Sequence, residues 1–137
     1  MTGPVRSAAW ERNCSIRWSK AQNLLLCLLG DHYAQRKEAL NYQANRELYS
    51  SYLYLSMSYY FESIGFRGFA SWMRVQAGEE LVHTMKLLDY VAASGEKAKM
   101  LAVEAPQHSW ESPQQAFAHV WEHERAVTRM IHDLVAV

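Results

Sequence analysis

The sequence has few of the residues that interrupt helices or cross-link chains. Its 137 residues include three prolines, six glycines and two cysteines, and the stretch from Tyr33 to Ser63 has neither proline nor glycine. Cys14 and Cys27 show no metal-ligand spacing and no disulfide framework. This usage fits a reducing compartment, so we expect a cytoplasmic protein. The length suits one domain with one hydrophobic core.

Charge of one sign and long apolar runs are also lacking. The 14 basic and 14 acidic residues cancel, so no overall field attracts phosphate backbones or anionic lipid, and nucleic acid is not an expected partner. The longest aliphatic run is LLLCLL at residues 24–29, far shorter than the roughly 20 apolar residues that span a bilayer. No membrane partner is predicted, and the function must depend on a local site.

Residues 1–32 differ in character from the remainder. Before the aliphatic run they carry four basic residues and one acid, Arg6, Arg12, Arg17, Lys20 and Glu11. The segment could be a weak signal peptide or an Arg-rich transit segment, although its basic lead is long and its apolar run is short. A tail or an additional helix is the other interpretation. We therefore divide the chain into an extension of unclear role, residues 1–32, and one domain, residues 33–137.

The domain is predicted to be all-α, with three helices over residues 33–63, 69–94 and 113 onward. Gly95 is a C-terminal stop for the second helix, and Ser112 is an N-cap for the third. Roughly 17 residues connect these two helices, more than a helical hairpin needs. Extended at about 3.3 Å per residue they reach over about 50 Å, whereas a helix of about 26 residues measures near 40 Å. The pattern predicts a helical bundle with a long crossover and a third helix parallel to the second.

Each predicted helix carries an ionisable residue on the strip that should face the core. The strips have heptad-like spacing: Leu40, Ala44, Glu47, Ser51, Tyr54, Ser58 and Phe61; Phe69, Met73, Glu80, His83 and Leu87; Phe117, Val120, Glu124, Val127, Ile131 and Leu134. Residues spaced by three and four share one helical face. Glu47, Glu80, His83 and Glu124 are therefore predicted to converge inside the bundle.

A bare buried carboxylate must be paired, bound to a metal or neutralised by a large pKa shift. The strips offer no Lys or Arg at matching positions. Each acid alone could be a snorkelling or helix-end side chain. Together, three carboxylates and one imidazole indicate an oxygen-rich pocket with one nitrogen, which suits iron or manganese.

The motifs of the three helices lie in two segments, NRELYSSYLYLSMSYYFESIGFRGFASWMRVQAGEELVHTMKLLDYVAASG and VEAPQHSWESPQQAFAHVWEHERAVTRMIHDL. These segments closely resemble the non-haem ferritins of bacteria and archaea, over roughly residues 38–135. The resemblance implies a ferritin-like helical bundle that stores iron. It further implies a ferroxidase that binds Fe(II), oxidises it with dioxygen or peroxide and sequesters Fe(III) inside a homo-oligomeric shell of 24 subunits.

The resemblance also implies the roles of the ligands in a dinuclear iron centre. Glu47 is the ligand from the first helix, Glu80 bridges the two irons, and His83 binds the first iron. Glu124 holds the second iron. Two metal ions about 3.5–4 Å apart can share one oxidant.

Two further residues have counterparts in the family. Tyr54, two helical turns after Glu47, lies where ferritins keep a tyrosine that can supply an electron, although a core-packing aromatic is an equally good interpretation. Glu79 matches a carboxylate of the accessory third iron site of prokaryotic ferritins.

One part of the family pattern has no counterpart in the sequence. Ferritins continue through a fourth long helix that supplies ligands to the second and third iron sites, whereas this sequence ends at Val137. We expect a bundle truncated after its third helix, with a nearly complete first iron site and a compromised second site. Enzymatic activity is therefore an open question. The alternative is a truncated ferritin-like chain that associates but lacks ferroxidase activity.

A zinc peptidase is a third possibility, because HVWEH at residues 119–123 fits the inverted motif H-x-x-E-H. His119 and His123 would bind zinc, and Glu122 would act as the base. A third ligand would have to come from residues 124–137, and the motif lies beside the apolar strip rather than on it. The sequence favours this function least.

Overall fold

The protein is built from three helices. The computed structural model describes the backbone of residues 9–136 and the side chains of residues 35–136. The helices are α1 (Ala9–Ser63), α2 (Arg67–Ala93) and α3 (Pro113–Ala136), and the described residues contain no strand. The prediction of an all-α helical bundle is confirmed, and no fourth helix occurs within residues 9–136.

The first helix begins earlier than the sequence suggested. It starts at Ala9 instead of near residue 33. Between Ala9 and Ser63 the sequence contains no proline and one glycine, Gly30. A single glycine inside a helix costs only about 1 kcal/mol relative to alanine. The chain forms two compact units, Met1–Gln35 and Arg36–Val137. The interpretations of residues 1–32 as a signal peptide, a transit segment or a tail lie outside the residues whose side chains the structure describes.

Glycines end α1 and α2 by the same backbone arrangement. Gly65 and Gly95 have φ values of 85° and 81°, in the left-handed region that glycine adopts without strain. After α2, the Gly95 N–H donates to the Ala92 carbonyl at 3.0 Å, and the Glu96 N–H donates to the Val91 carbonyl at 3.4 Å. This is a Schellman motif. The prediction that Gly95 ends the second helix is confirmed.

The start of α3 is capped as predicted. The Gln115 N–H donates to Ser112 Oγ at 3.2 Å, and Pro113 occupies the first helical position, where a missing N–H has no cost. In return, Gln115 Oε1 accepts a hydrogen bond from the Glu111 N–H at 2.7 Å. The side chains around residues 111–115 thus satisfy backbone groups that the helix leaves unpaired.

The segment between α2 and α3 follows α1 over much of its length. Its contacts advance along both partners: Lys37 with Glu96, Asn41 with Lys99, Asn45 with Leu101 and Ala102, Arg46 with Glu104, and Ser56 with Gln107. The crossover therefore returns the chain to the end of the bundle where α2 begins. Phe69 and Phe117, near the starts of α2 and α3, have ring centroids 5.0 Å apart. The predicted parallel arrangement of α2 and α3 is confirmed.

The core lies where α2 and α3 pack against α1. Leu53, Tyr54, Met57, Phe61 and Met73 are buried almost completely, and partly buried rings such as Phe117 pack against them. The predicted α1 strip is buried from Ala44 to Phe61 except for the half-buried Ser51. On α3, by contrast, Glu124 and Ile131 are exposed. The difference arises because, within residues 35–136, no element covers the surface between α2 and α3.

None of the three helices, over the residues that the structure describes, has an apolar stretch long enough to span a bilayer.

Candidate metal centre

Two helices bring the first three candidate ligands together. Glu47 of α1 and Glu80 and His83 of α2 each direct one ligand atom into a group whose atoms all lie within 4.8 Å of one another. Small side chains allow α1 and α2 to approach closely here, because Ser51 Oγ donates to the Ala77 carbonyl at 2.7 Å. Within the described residues, this is the only cluster of three or more His, Cys, Asp or Glu side chains with that spacing.

Glu47 is buried and is oriented by an amide. Glu47 is only 4% exposed, and Gln43 Nε2 donates a hydrogen bond to Glu47 Oε1 at 2.6 Å. Gln43 lies one helical turn earlier, so both residues share one face of α1. The Gln43 amide fixes one carboxylate oxygen of Glu47 and leaves the other oxygen for a metal ion.

Glu80 shows the cost of placing two carboxylates together. Burial raises the pKa of Glu80 to about 7, and a hydrogen bond with Glu47 acts in the same direction. His83 opposes this rise, and its Nδ1 lies 3.1 Å from Glu80 Oε2. The pair of carboxylates thus retains a proton near neutral pH, and a cation can replace that proton.

Tyr54 and Glu124 form a second group beside the first. Tyr54 is buried, and its phenol donates a short hydrogen bond to Glu124 Oε1. Burial raises the pKa of the Tyr54 phenol, followed by the hydrogen bond and charge of Glu124, and the charges of Glu80 and Glu47 add to the effect. The structure therefore brings Glu124 to the edge of the centre through Tyr54, but it does not include Glu124 in the group of three.

Glu79 lies apart from both groups. It is exposed and accepts a hydrogen bond from Gln76 Nε2 at 2.9 Å, on the outer side of α2. His83 is the more exposed ligand on α2, because its side chain is 52% exposed while that of Glu80 is 13% exposed. The centre is thus closed on the side of α1 and open on the side of His83.

Three polar neighbours of the centre were not identified from the sequence. Gln43 holds Glu47, and Ser50 Oγ lies 2.8 Å from His123 Nε2. The spacing of four between Gln43 and Glu47 was the available signal for the first. Ser50 and His123 gave no such signal, because they are distant in sequence and neither lies on the strips that predicted the ligands.

The histidines of HVWEH have separate protein partners. His119 Nδ1 accepts a hydrogen bond from Trp110 Nε1 at 3.1 Å, while His123 contacts Ser50. Neither belongs to the metal-ligand cluster found among the described residues. The geometry therefore gives no support to a zinc peptidase.

The ligand set defines the ions that the centre can accept. Two carboxylates and one imidazole are hard or borderline ligands, which suit Fe(II), Fe(III) or Mn(II) and disfavour Cu(I). Glu47, Glu80 and His83 supply three ligand atoms. The carboxylate of Glu124 lies beside this group, where it accepts a hydrogen bond from the Tyr54 phenol. This arrangement fits an iron site with positions left open for further ligands.

Comparison with known proteins identifies the family. Residues 37–137 match the family model described as a ferritin-like domain. The chain belongs to the ferritin family. Among its relatives, the bacterial non-heme ferritin of Bacteroides fragilis (strain 638R) is 43% identical over 101 residues, covering 74% of this chain and 64% of the relative. The bacterial non-heme ferritin of Escherichia coli O157:H7 is 37% identical over 97 residues, covering 71% of this chain and 59% of the relative.

A solved ferritin has the same fold. The open pore ferritin of the hyperthermophilic archaeon Archaeoglobus fulgidus superimposes with a TM-score of 0.73 at 56% identity, covering 74% of this chain and 63% of that one. The prediction of a ferritin family member is confirmed. This ferritin chain spans less than two thirds of the length of these relatives.

Proposed function

We propose that this ferritin chain binds Fe(II) at a dinuclear centre, oxidises it with dioxygen or peroxide, and contributes to an oligomer that sequesters Fe(III). The observation that supports this most directly is the convergence of Glu47, Glu80 and His83 from two helices. The centre contains the mixed carboxylate and imidazole ligands that iron accepts in both oxidation states.

The first iron is held by Glu47, Glu80 and His83. In the metal-free chain, Glu80 keeps a proton because it is buried beside Glu47. Fe(II) takes the place of that proton, so binding releases it and relieves the repulsion between the carboxylates. Gln43 keeps Glu47 oriented throughout, because its amide is neutral and does not compete for the cation.

The second iron is held by Glu80 as a bridge and by Glu124. Two carboxylate oxygens on Glu80 permit it to bind both ions, and two ions so placed can deliver electrons to one oxidant. Each Fe(II) would give up one electron, so that the pair supplies the two electrons that convert dioxygen to peroxide or peroxide to water. Tyr54, hydrogen-bonded to Glu124, would supply a further electron to the oxidant when the iron pair cannot, and would pass its phenol proton to Glu124. Glu79 is the proposed accessory iron ligand, outside the dinuclear centre.

Assembly into a homo-oligomer, a shell of 24 subunits by analogy with the family, is part of the proposal. The outer surface of α1 supports it. Tyr52, Leu55 and Tyr59 are 40–61% exposed and, at spacings of three and four, share one side of the helix. Exposed apolar and aromatic groups in a continuous strip mark contact surfaces. A cytoplasmic location is consistent with Fe(II) as the substrate, since the ferrous state persists in reducing compartments.

A chain that associates but does not oxidise iron is the competing function. It is supported by the half-exposed His83 and by the position of Glu124, which is bonded to Tyr54 outside the cluster of three. Under this alternative, the first iron binds and the second does not. Counting the bound metal ions therefore separates the two functions.

The deciding experiment is anaerobic calorimetric titration with Fe(II), followed by exposure to dioxygen. Glu80→Gln is the test variant, because it keeps the shape of the side chain and removes the bridging charge. Asp89→Asn is the matched control, because Asp89 is an exposed acid on the same helix. The proposal predicts two irons per chain at the dinuclear centre, lost together in Glu80→Gln and kept in Asp89→Asn, and Fe(III) formation in air. One iron without oxidation would support the non-catalytic alternative, and no bound iron would refute both.

A further inference from the structure

The second iron ligand depends on how α3 sits against α1. Glu47, Glu80 and His83 lie on α1 and α2, whereas Glu124 lies on α3. A carboxylate on a separate helix reaches the centre only if that helix has the correct rotation and height. The described residues provide two side-chain hydrogen bonds between α1 and α3 at this level, Tyr54 with Glu124 and Ser50 with His123.

The proton of Ser50 determines the direction of the second bond. The Ser50 hydroxyl donates to the Arg46 carbonyl one turn earlier, at 3.0 Å. A hydroxyl has one proton and two lone pairs, so Ser50 Oγ must accept its other bond. The donor is therefore the Nε2–H of His123, 2.8 Å away. Because the Arg46 contact stops the hydroxyl from rotating, Ser50 presents an acceptor in a fixed direction.

The ring of His123 is confined on two further sides. Its centroid lies 5.8 Å from that of Tyr49 and 6.1 Å from that of Tyr54, which meets it at an interplanar angle of 89°. Tyr54 thus packs against His123 and donates its phenol proton to the next residue, Glu124. The two interhelical bonds come from neighbouring residues of α3 and from residues one turn apart on α1. Together they fix both the rotation and the height of α3.

We propose that Ser50 and His123 are positioning residues that set Glu124 for the second iron. They hold α3 so that Tyr54 takes Glu124 Oε1 and leaves the other carboxylate oxygen for the metal. This inference rests on the proposed dinuclear centre. Ser50 and His123 themselves do not touch the iron, so their effect passes through Glu124 alone.

The test compares two replacements of His123. His123→Phe keeps a flat ring but cannot donate to Ser50, whereas His123→Gln keeps an N–H donor. His132→Phe is the control, since His132 is exposed on the same helix. In anaerobic Fe(II) titrations, His123→Phe should weaken the second iron by about 10- to 100-fold, the usual cost of losing an orienting contact. The first iron should be unchanged, His123→Gln should largely restore the second, and the control should bind like the wild type.

A metal-free measurement separates this inference from the function on which it rests. The proton that Tyr54 donates to Glu124 lies in a part-buried hydrogen bond, and we expect it to give a distinct proton NMR signal. His123→Phe and Ser50→Ala should shift or broaden that signal, and His123→Gln should keep it. Ser50→Ala also replaces His123→Phe as the test if the latter does not fold.

The outcomes distinguish the two failures. If the wild type binds only one iron but the NMR signal responds as expected, Glu124 is positioned by His123 and the dinuclear function is wrong. If two irons bind and neither the second affinity nor the NMR signal changes in His123→Phe and Ser50→Ala, the positioning role is wrong. Equal losses in His123→Phe and His123→Gln would also overturn it, because the hydrogen bond would then be irrelevant.

Discussion

The raised pKa of Glu80 leads to a quantitative prediction for the metal-free protein. Burial and the hydrogen bond with Glu47 raise this pKa from the ordinary value of 4.5 to about 7. A metal that binds there must displace the proton, so its apparent affinity should fall by about tenfold for each pH unit below 7, through Glu80 alone. At pH 5 the loss through Glu80 is about 100-fold.

Replacing Glu47 separates the two causes of this shift. Glu47→Gln removes a charge and changes the hydrogen bond, but it leaves Glu80 equally buried. Because burial is the larger cause, the pKa of Glu80 should fall in this variant and yet stay above 4.5. If it returned fully to 4.5, repulsion by Glu47 and not burial would dominate.

The assay is a carbon NMR titration of protein labelled at the glutamate side-chain carboxyl carbons. Glu80→Gln identifies the Glu80 signal by its disappearance. A wild-type midpoint near 7 supports the reasoning, and the Fe(II) affinity measured across the same pH range should change slope at that midpoint. A Glu80 midpoint near 4.5 would refute the claim that the two carboxylates share a buried environment.

Three further predictions follow from the same structure. Since folded Glu80 binds a proton more tightly than unfolded Glu80, its contribution to the free energy of unfolding of the metal-free chain should fall as pH rises from 4.5 to 7; the difference in thermal unfolding between the wild type and Glu80→Gln should show this trend. Met73→Ala removes a side chain that is 0% exposed and should lower the free energy of unfolding by about 2–5 kcal/mol in urea titrations, while the control Val135→Ala, at an 82% exposed position, should have little effect. Gly95→Ala forces a side chain into a left-handed conformation at the end of α2 and should cost about 1–3 kcal/mol by the same measurement; an unchanged stability would mean that the turn adopts another backbone conformation.

The parts of the fold that the sequence predicted depend on local chemistry. Gly95 and Ser112 act through backbone groups within a few residues, so their roles can be predicted from the local sequence. Glu47, Glu80 and His83 were predicted to meet because helical spacing places each on a buried face, and the structure brings them together. The early start of α1 was missed because residues 1–32 were separated from the domain on their basic charge and their short apolar run.

The parts that escaped prediction depend on tertiary contacts. The bond between Tyr54 and Glu124 requires a particular rotation of α3, which no spacing within α3 specifies. The same holds for Ser50 and His123, which are 73 residues apart in sequence. Helical periodicity identifies which face of a helix is buried, but the choice of partner on that face is made by packing.

The crossover has a consequence for the order in which the protein folds. Its hydrogen bonds to α1 join residues 51–59 positions apart, and those between α1 and α3 join residues 70 and 73 positions apart. By contrast, the bonds from α1 to the first half of α2 span only 12–26 positions. Contacts with short separations close smaller loops and form sooner. The α1–α2 hairpin is therefore expected to assemble first, and it already contains Glu47, Glu80 and His83. Iron can then bind to the hairpin and stabilise it before α3 packs against α1.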